Sequence, residues 1–278
     1  MNSTVSVVLN VYKRSSIFRE QLYAIKKQTV KPIEILVWEN GTESVPTDLR
    51  KDLIIARANH NFGVWARFSF ALNAVGDFIC IIDDDTIPGS KWLENCIETM
   101  KITPGLLGTR GLIFDSKFSY SMNHDVGIYK PNEETTQVDI VGHSWFFKKE
   151  WLNIFWGYGD KKFKDNLVGE DIHFSFALQN SLNIPTLVPK HPISDPSLWG
   201  ADPKLSTIYG TGEESISTSN KSLKKFENAL AHYRKLGFKS LTELDSTIQT
   251  KHRKCIYKLV RLFPRLMHRI AKMQNSIQ

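Results

Sequence analysis

Cysteine is scarce: Cys80, Cys96 and Cys255 are all that the 278-residue chain contains. Three scattered thiols make neither a disulfide framework nor a Cys-rich zinc site, so a reducing, cytoplasmic setting is expected. No apolar run approaches the roughly 20 residues that span a bilayer, which argues against a membrane helix. Met1 to Leu9 has neither a basic start nor a long apolar core, so no secretory leader is expected. Glycine-rich phosphate loops are missing too. There is no G-x-x-x-x-G-K-S/T, and no G-x-G-x-x-G follows the first apolar run. Acids are absent beyond Asp245, where eight bases lie between Lys251 and Lys272. The other residues hold 28 bases and 29 acids, so the net charge of +7 belongs to the tail. A near-neutral body argues against a nucleic-acid binder, whose basic surface should follow a groove.

What is present reads as an ordinary globular chain, with 41% hydrophobic and 23% charged residues. Val5 to Val11, Ile33 to Trp38, the weaker Leu53 to Ala56, and Phe78 to Ile82 are short apolar runs that predict strands. Between them, Ile17 to Gln28 and Val64 to Val75 carry apolar residues at helical spacing, the second on Phe68, Leu72 and Val75. This alternation over the first ~85 residues predicts an α/β layer with a mainly parallel sheet flanked by helices. Trp92 to Met100 and Glu170 to Asn180 predict further helices, and Leu106 to Phe114 and Val138 to Phe147 further strands. Ile193 to Glu214 reads as a long loop of the kind that forms lids.

Ligands of such sheets bind beyond the carboxyl ends of the strands. That directs attention to Asn10 to Arg14, Glu39-Asn40-Gly41 and Asp83-Asp84-Asp85. Three consecutive carboxylates repel one another and need either open water or a hard cation. Mg²⁺ and Mn²⁺ take oxygen ligands and complete their shells with substrate phosphates. A solvated acidic turn is the plainer alternative. Glu170-Asp171 likewise has two readings, a helix start favoured by acids in the first turn or a carboxylate pair for proton transfer.

Five ordered segments resemble glycosyltransferase family 2 enzymes of the GT-A fold. They are Val5-Ser6-Val7-Val8-Leu9-Asn10-Val11-Tyr12-Lys13-Arg14, Ile33 to Thr42, Asn59-His60-Asn61-Phe62-Gly63 with Ala66-Arg67 and Ala74 to Phe78, Ile81-Ile82-Asp83-Asp84-Asp85, and Val168 to His173. The resemblance implies a GT-A-type nucleotide-diphospho-sugar transferase fold over residues 1–215. Residues 1–90 would be its nucleotide-binding half and 91–215 its acceptor half. A helical, basic amphipathic extension would occupy 216–278. It also implies a hexosyl transfer from a nucleotide sugar to a hydroxyl of a saccharide or lipid-linked glycan, with inversion. Asp171 would be the catalytic base, with Glu170 beside it. Asn10, Tyr12, Arg14, Glu39, Asn61, Arg67, Asp83 and Asp84 would bind the donor. Asp85 and Asp83, with His191 as a further ligand, would hold Mn²⁺ or Mg²⁺. His143 and His173 are weaker candidates. Two departures from the family pattern stand out. Glu39 replaces the usual Asp after the second strand, and Thr86 follows the Asp-x-Asp motif in place of an acid.

Trp145, Trp151, Trp156 and Trp199 have rings suited to sugar faces or to core packing, and Trp199 lies in the polar loop. In the tail, Ile256, Leu259, Val260, Phe263, Leu266, Met267, Ile270 and Met273 form one helical stripe opposite the bases, interrupted at Pro264. Such a helix suits an anionic membrane surface or packs on a partner. The expected setting is thus cytoplasmic and peripheral to the membrane, with no nucleic-acid partner. Two alternatives are a sugar-nucleotide pyrophosphorylase and a non-catalytic glycan- or membrane-binding module. The first lacks its glycine-rich loop after strand one. The second does not need Asp83, Asp85, Glu170 and Asp171.

Overall fold

The structure, a computed structural model, describes residues 3–120, 122–158, 168–210 and 220–244. The chain divides into two compact units, Met1–Phe238 and Lys239–Gln278. Of the second unit only 239–244 are described, and 241–244 are helical. The amphipathic stripe expected from Ile256 lies outside the described residues.

Four parallel strands build the first half: β1 (Val5–Val11), β2 (Glu34–Asn40), β3 (Ile54–Ala58) and β4 (Phe78–Ile82), side by side in the order β3-β2-β1-β4. Leu9 pairs with Val37 on one side and Ile82 on the other. Val5, Val7, Val8 and Leu9 are fully buried, which is why β1 reads as an unbroken apolar run. The buried polar residue among them, Ser6, is satisfied. Ser6 Oγ donates to Glu34 Oε1 at 2.6 Å and accepts from the Gly76 N–H at 2.9 Å. α1 (Phe18–Lys26) buries Phe18, Leu22 and Ile25, with Gln21 on the same face.

The helix expected over Val64–Val75 is shorter. α2 (Ala66–Phe70) tightens into a 3₁₀ turn at Ala71–Asn73. Of the expected stripe only Phe68 is buried, while Leu72 and Val75 are exposed. Ala71 and Ala74 take the inward positions instead, because their small side chains allow close approach to the sheet.

β8 (Ile140–Lys148) joins β4 antiparallel, and β5 (Leu106–Ser119) joins β8 antiparallel. β9 (Thr186–Val188) runs parallel to β5, and β7 (Thr136–Val138) antiparallel to β9. β6 (Met122–Gly127) pairs with β5 off this path, which gives nine strands among the described residues. The sheet is therefore parallel through β4 and mixed as a whole. In its second half the β4–β8, β5–β8, β5–β6 and β7–β9 pairs are antiparallel, and β9 comes back parallel to β5 after α4 and α5.

α3 (Trp92–Ile102) packs Trp92, Leu93, Cys96 and Met100 inward. α4 (Leu152–Gly157) and α5 (Glu170–Leu182) sit on the core formed by Phe68, Phe147, Phe155 and Phe174. Every residue of α5 from Glu170 to Leu178 is buried, so no single apolar stripe marks it in the sequence.

The expected long loop is partly regular. A 3₁₀ turn spans Pro196–Leu198, and α6 spans Pro203–Gly210. Asp195 accepts from the Ser197 N–H, and Asp202 Oδ1 accepts from the N–H groups of Lys204 and Leu205 at 2.8 and 3.2 Å. Both aspartates are helix caps, with proline following each. α7 (Asn220–Lys235) packs Ala229, Leu230 and Tyr233 with Ile172 and Phe176 of α5. The first compact unit runs to Phe238 and so takes in α7.

Candidate active site

One cavity of about 310 Å³ opens where β1, β2 and β4 end, facing the start of α5. Ten of the expected site residues line it: Asn10, Tyr12, Arg14, Asn61, Arg67, Asp83, Asp84, Asp85, Glu170 and Asp171. The ends of the parallel strands and the loops after them deliver Asn10, Tyr12, Arg14, Asn61 and the three aspartates, α2 carries Arg67, and the buried N-terminus of α5 brings Glu170 and Asp171 to the same cavity.

The acidic turn is not simply solvated. Arg14 Nη1 donates to Asp84 Oδ1 at 2.6 Å and lies 3.7 Å from Asp85 Oδ2. Arg67 Nη1 donates to Asp83 Oδ1, and its Nη2 donates to Glu170 Oε1 at 2.8 Å. The Arg67 guanidinium also stacks 4.6 Å above the Trp145 ring. Gln21, the polar residue on the buried face of α1, donates from Nε2 to the carbonyls of Asp83 and Thr86 at 2.6 and 3.0 Å. It fixes the turn. Burial above all pushes the Asp84 carboxyl up to about 7, with Arg14 pulling the other way and Asp85 and Asp83 adding to the rise. Burial likewise raises Asp83, and it raises both Glu170 and Asp171 above the usual carboxylate range.

Gly169, at φ 93°, turns the chain into α5, and Asp171 Oδ1 accepts from the Ile172 N–H at 2.7 Å. Glu170 and Asp171 thus sit in the first turn of α5 and also line the cavity. Asp171 keeps one oxygen on the helix amide while lining the cavity.

Two expectations need correction. Glu39 does not line the cavity. It is fully buried, and Oε1 accepts from the Val45 N–H at 2.8 Å and from Arg50 at 3.0 Å, which pins the loop after β2. Its longer chain turns away from the rim, and the next residue, Asn40, takes the wall position, donating to Asn61 Oδ1 at 2.9 Å. His191 is not at the acidic turn either. Its Nδ1 donates to the Pro189 carbonyl at 2.8 Å, and its Nε2 accepts from the Gly200 N–H at 3.1 Å. Both nitrogens are engaged, and burial lowers its pKa to about 4.

The histidine beside the acids is His143, whose Nδ1 lies 3.8 Å from Asp85 Oδ1. A register shift in the β5–β8 pairing and a φ of 63° at His143 aim it there. The signal available in the sequence was a polar pair, His143-Ser144, inside an apolar strand. His173 instead contacts the Phe155 carbonyl at 2.6 Å in the core, and burial lowers its pKa to about 4. Trp199 donates to the Pro192 carbonyl at 2.7 Å and packs near His191, so it is not a platform at the cavity. Of the four tryptophans considered, Trp145 alone lines the cavity. Gly210 of α6 faces Asp85, while Thr211 and Gly212 lie outside the described residues.

Among the described residues no group of three or more His, Cys, Asp or Glu is arranged to enclose a metal by itself. Mg²⁺ and Mn²⁺ do not require one, since they are often held by one or two carboxylates together with waters and substrate phosphates. Asp85 fits that mode. It is the least engaged acid of the turn, hydrogen-bonded at Oδ1 by the Thr86 hydroxyl at 3.2 Å, with Arg14 3.7 Å from Oδ2.

The chain is 27% identical over 118 residues to the glucosyl-dolichyl phosphate glucuronosyltransferase of Haloferax volcanii, which covers 39% of this chain and 38% of that enzyme. The structure of S. aureus TarS superposes with a TM-score of 0.49 at 15% identity, over 68% of this chain and 35% of TarS. The chain thus spans well under half the length of either relative. The profile of glycosyl transferase family 2 matches residues 6–182, which include β2 to β8, the acidic turn and the start of α5. The chain belongs to glycosyl transferase family 2.

Proposed function

We propose that the chain transfers a hexosyl group from a nucleoside-diphosphate sugar to a hydroxyl of a saccharide or lipid-linked glycan, with inversion at the anomeric carbon. One observation carries this reading: Asp83–Asp85 and Glu170–Asp171 face a single cavity and are joined through Arg67. Donor and acceptor chemistry need that proximity.

Asn10, Tyr12, Asn61 and Asn40 shape the donor end of the cavity, and Arg14 offers positive charge beside the diphosphate. Asp85, with His143 next to it, would hold Mn²⁺ or Mg²⁺. When bound, that ion neutralises charge on the leaving diphosphate. Asp171 takes the proton of the attacking hydroxyl on its free carboxylate oxygen. Burial raises its basicity, which suits a general base and is typically worth ~10²–10⁴-fold in rate. Glu170 fixes Arg67, which holds Asp83. One base on the acceptor side gives direct displacement, hence inversion. α6 covers Asp85 and limits water there. The archaeal relative's name includes a lipid-phosphate-linked sugar, which supports a lipid-linked acceptor. The basic tail would bring such an acceptor's membrane within reach. No helix among the described residues is long and apolar enough to cross a membrane.

The test is incubation with a panel of nucleotide sugars, Mn²⁺ and glycan acceptors. Release of nucleoside diphosphate, with NMR showing the opposite anomer in the product, is expected. Pyrophosphate release would instead indicate a pyrophosphorylase, and no turnover with any pair would indicate a binding module.

A further inference from the structure

The wall of the cavity formed by β5 and β8 holds a cation that the transfer chemistry does not use. Arg110 of β5 donates from Nε to Asp125 Oδ1 at 2.5 Å, and its guanidinium lies 5.1 Å from the Tyr129 ring centroid. Asp125 and Tyr129 hold the guanidinium by its inner edge and its face. Nη1 and Nη2 have no acceptor within hydrogen-bond distance among the described residues, and the side chain is one-third exposed. The other two arginines lining the cavity, Arg14 and Arg67, are bonded at their tips to the aspartates and Glu170.

The strands on either side of Arg110 keep its surroundings clear. Arg110 pairs with Gly127 on β6 and with Gly142 on β8. Directly paired residues of antiparallel strands project to the same face. A Cβ at Gly142 would meet nothing within 4 Å, so the space beside the guanidinium on that side is open, and Gly142 lines the same cavity as Arg110. Gly127 sits at φ 102°, where a side chain is strained and its Cβ would strike the Thr109 carbonyl. The result is a braced arginine whose two outer donors face room for a ligand. Planar paired donors of this kind suit a carboxylate or phosphate, which can take both at once.

We propose that Arg110 anchors an anionic group of the substrate, a carboxylate or phosphate carried by either the donor sugar or the acceptor, and so sets specificity for a charged over a neutral partner. This rests on the transfer reading. It adds a substrate class, since neither the acidic turn nor Asp171 would select for negative charge.

The experiment measures binding by calorimetry in the presence of Mn²⁺ for wild type, Arg110→Gln, Arg110→Lys and Gly142→Val. The donor arm compares the uridine and guanosine diphosphate esters of a neutral hexose with those of the matching uronic acid. The acceptor arm, run with nucleoside diphosphate present, compares a hexose 1-phosphate with the matching methyl hexoside. Wild type is expected to prefer the charged member in one arm, which identifies the source of the anion. Arg110→Gln should cut that preference by ~10- to 100-fold, the worth of a charge-assisted hydrogen bond. Arg110→Lys should retain part of it, and Gly142→Val should reduce it by filling the space. Melting curves establish that each variant is folded. Equal preference in wild type and Arg110→Gln, or no charge preference in either arm, overturns the inference while leaving sugar transfer intact. Failure of wild type to bind any nucleoside diphosphate overturns the transfer reading itself, and the inference with it.

Discussion

The Nη2 of Arg67 lies 2.8 Å from Oε1 of Glu170, a contact between residues 103 positions apart in sequence. The same guanidinium bonds Asp83, so one side chain ties the end of β4 to the start of α5. Arg67→Met leaves the buried Glu170 and the half-buried Asp83 without their cation. Breaking a buried pair from one side costs ~3–5 kcal/mol. Glu170 is already raised by burial, and losing Arg67 raises it further. A carboxyl whose folded pKa lies above its unfolded value destabilises once pH exceeds the unfolded value, up to the folded one. The Arg67→Met deficit in urea unfolding should therefore widen as pH rises. Adding Glu170→Gln should recover at least ~1 kcal/mol of it. Strictly additive losses would show that the two residues are not coupled.

Asp171→Asn removes the proposed base while keeping shape and one acceptor oxygen for the Ile172 N–H. Turnover should fall ~10²–10⁴-fold with donor binding preserved. In the wild type the base works only when ionised. Because burial raises Asp171, activity should rise with pH through a limb above the ordinary carboxylate range. A pH–rate profile of kcat/KM checks this. Normal turnover of Asp171→Asn would remove Asp171 from the mechanism.

Asp85→Ala tests the cation. Nucleoside diphosphate titrated into wild type should bind more tightly with Mn²⁺ than with chelator, and Asp85→Ala should abolish the difference. His143→Ala should weaken it less, because a carboxylate carries the charge and the imidazole is neutral when it ligates. If Mn²⁺ changes nothing in wild type, the diphosphate is held by arginines alone.

The first half of the fold was legible because β1, β2 and β4 are covered on both faces, so burial writes itself as unbroken apolar runs. The acidic turn was legible because a strand of five buried or half-buried apolar residues ends directly on it. Less could be read where burial and polarity disagree. Glu39 was expected at the cavity from its place after the apolar run Ile33 to Trp38, but its fully buried side chain pins the next loop. His191 stood between prolines and suggested a ligand, yet both ring nitrogens are bonded to backbone groups. Gln21, His143 and Arg110 reach the site through a helix face, a bulge and strands far along the chain. Their pairing exists only in three dimensions. β6 was missed because its residues, Met122 to Gly127, form no apolar run, and β9 because three residues carry too little pattern to stand out.

Removal of residues 251–278 tests the tail. The deletion takes away eight bases and the apolar stripe opposite them. Sedimentation with vesicles containing anionic lipid should drop, most visibly at low salt, since each base near such a surface contributes ~1 kcal/mol. Activity on a soluble acceptor should persist. Unchanged vesicle binding would assign the tail to another role.

His191 offers a test of the fold that is independent of catalysis. It is fully buried and neutral, held between the Pro189 carbonyl and the Gly200 N–H and packed near Trp92 and Trp199. Burial lowers its pKa to about 4, whereas in the unfolded chain it titrates at its ordinary value near 6.5. Above that ordinary value both states are neutral, and nothing is lost. As pH falls below it, the unfolded chain takes up a proton that the folded protein refuses, and stability declines until the folded value is reached. The loss amounts to about 3 kcal/mol. His173 acts in the same direction. His191→Gln cannot take up that proton. Its unfolding free energy is expected to be lower than wild type at about pH 7, from poorer packing, and to fall less between about pH 7 and about pH 4. The comparison uses the difference between the two conditions, so the packing cost cancels. Parallel pH profiles for the two proteins would mean that His191 protonates in the folded state as readily as in water, which its two backbone contacts and complete burial should prevent.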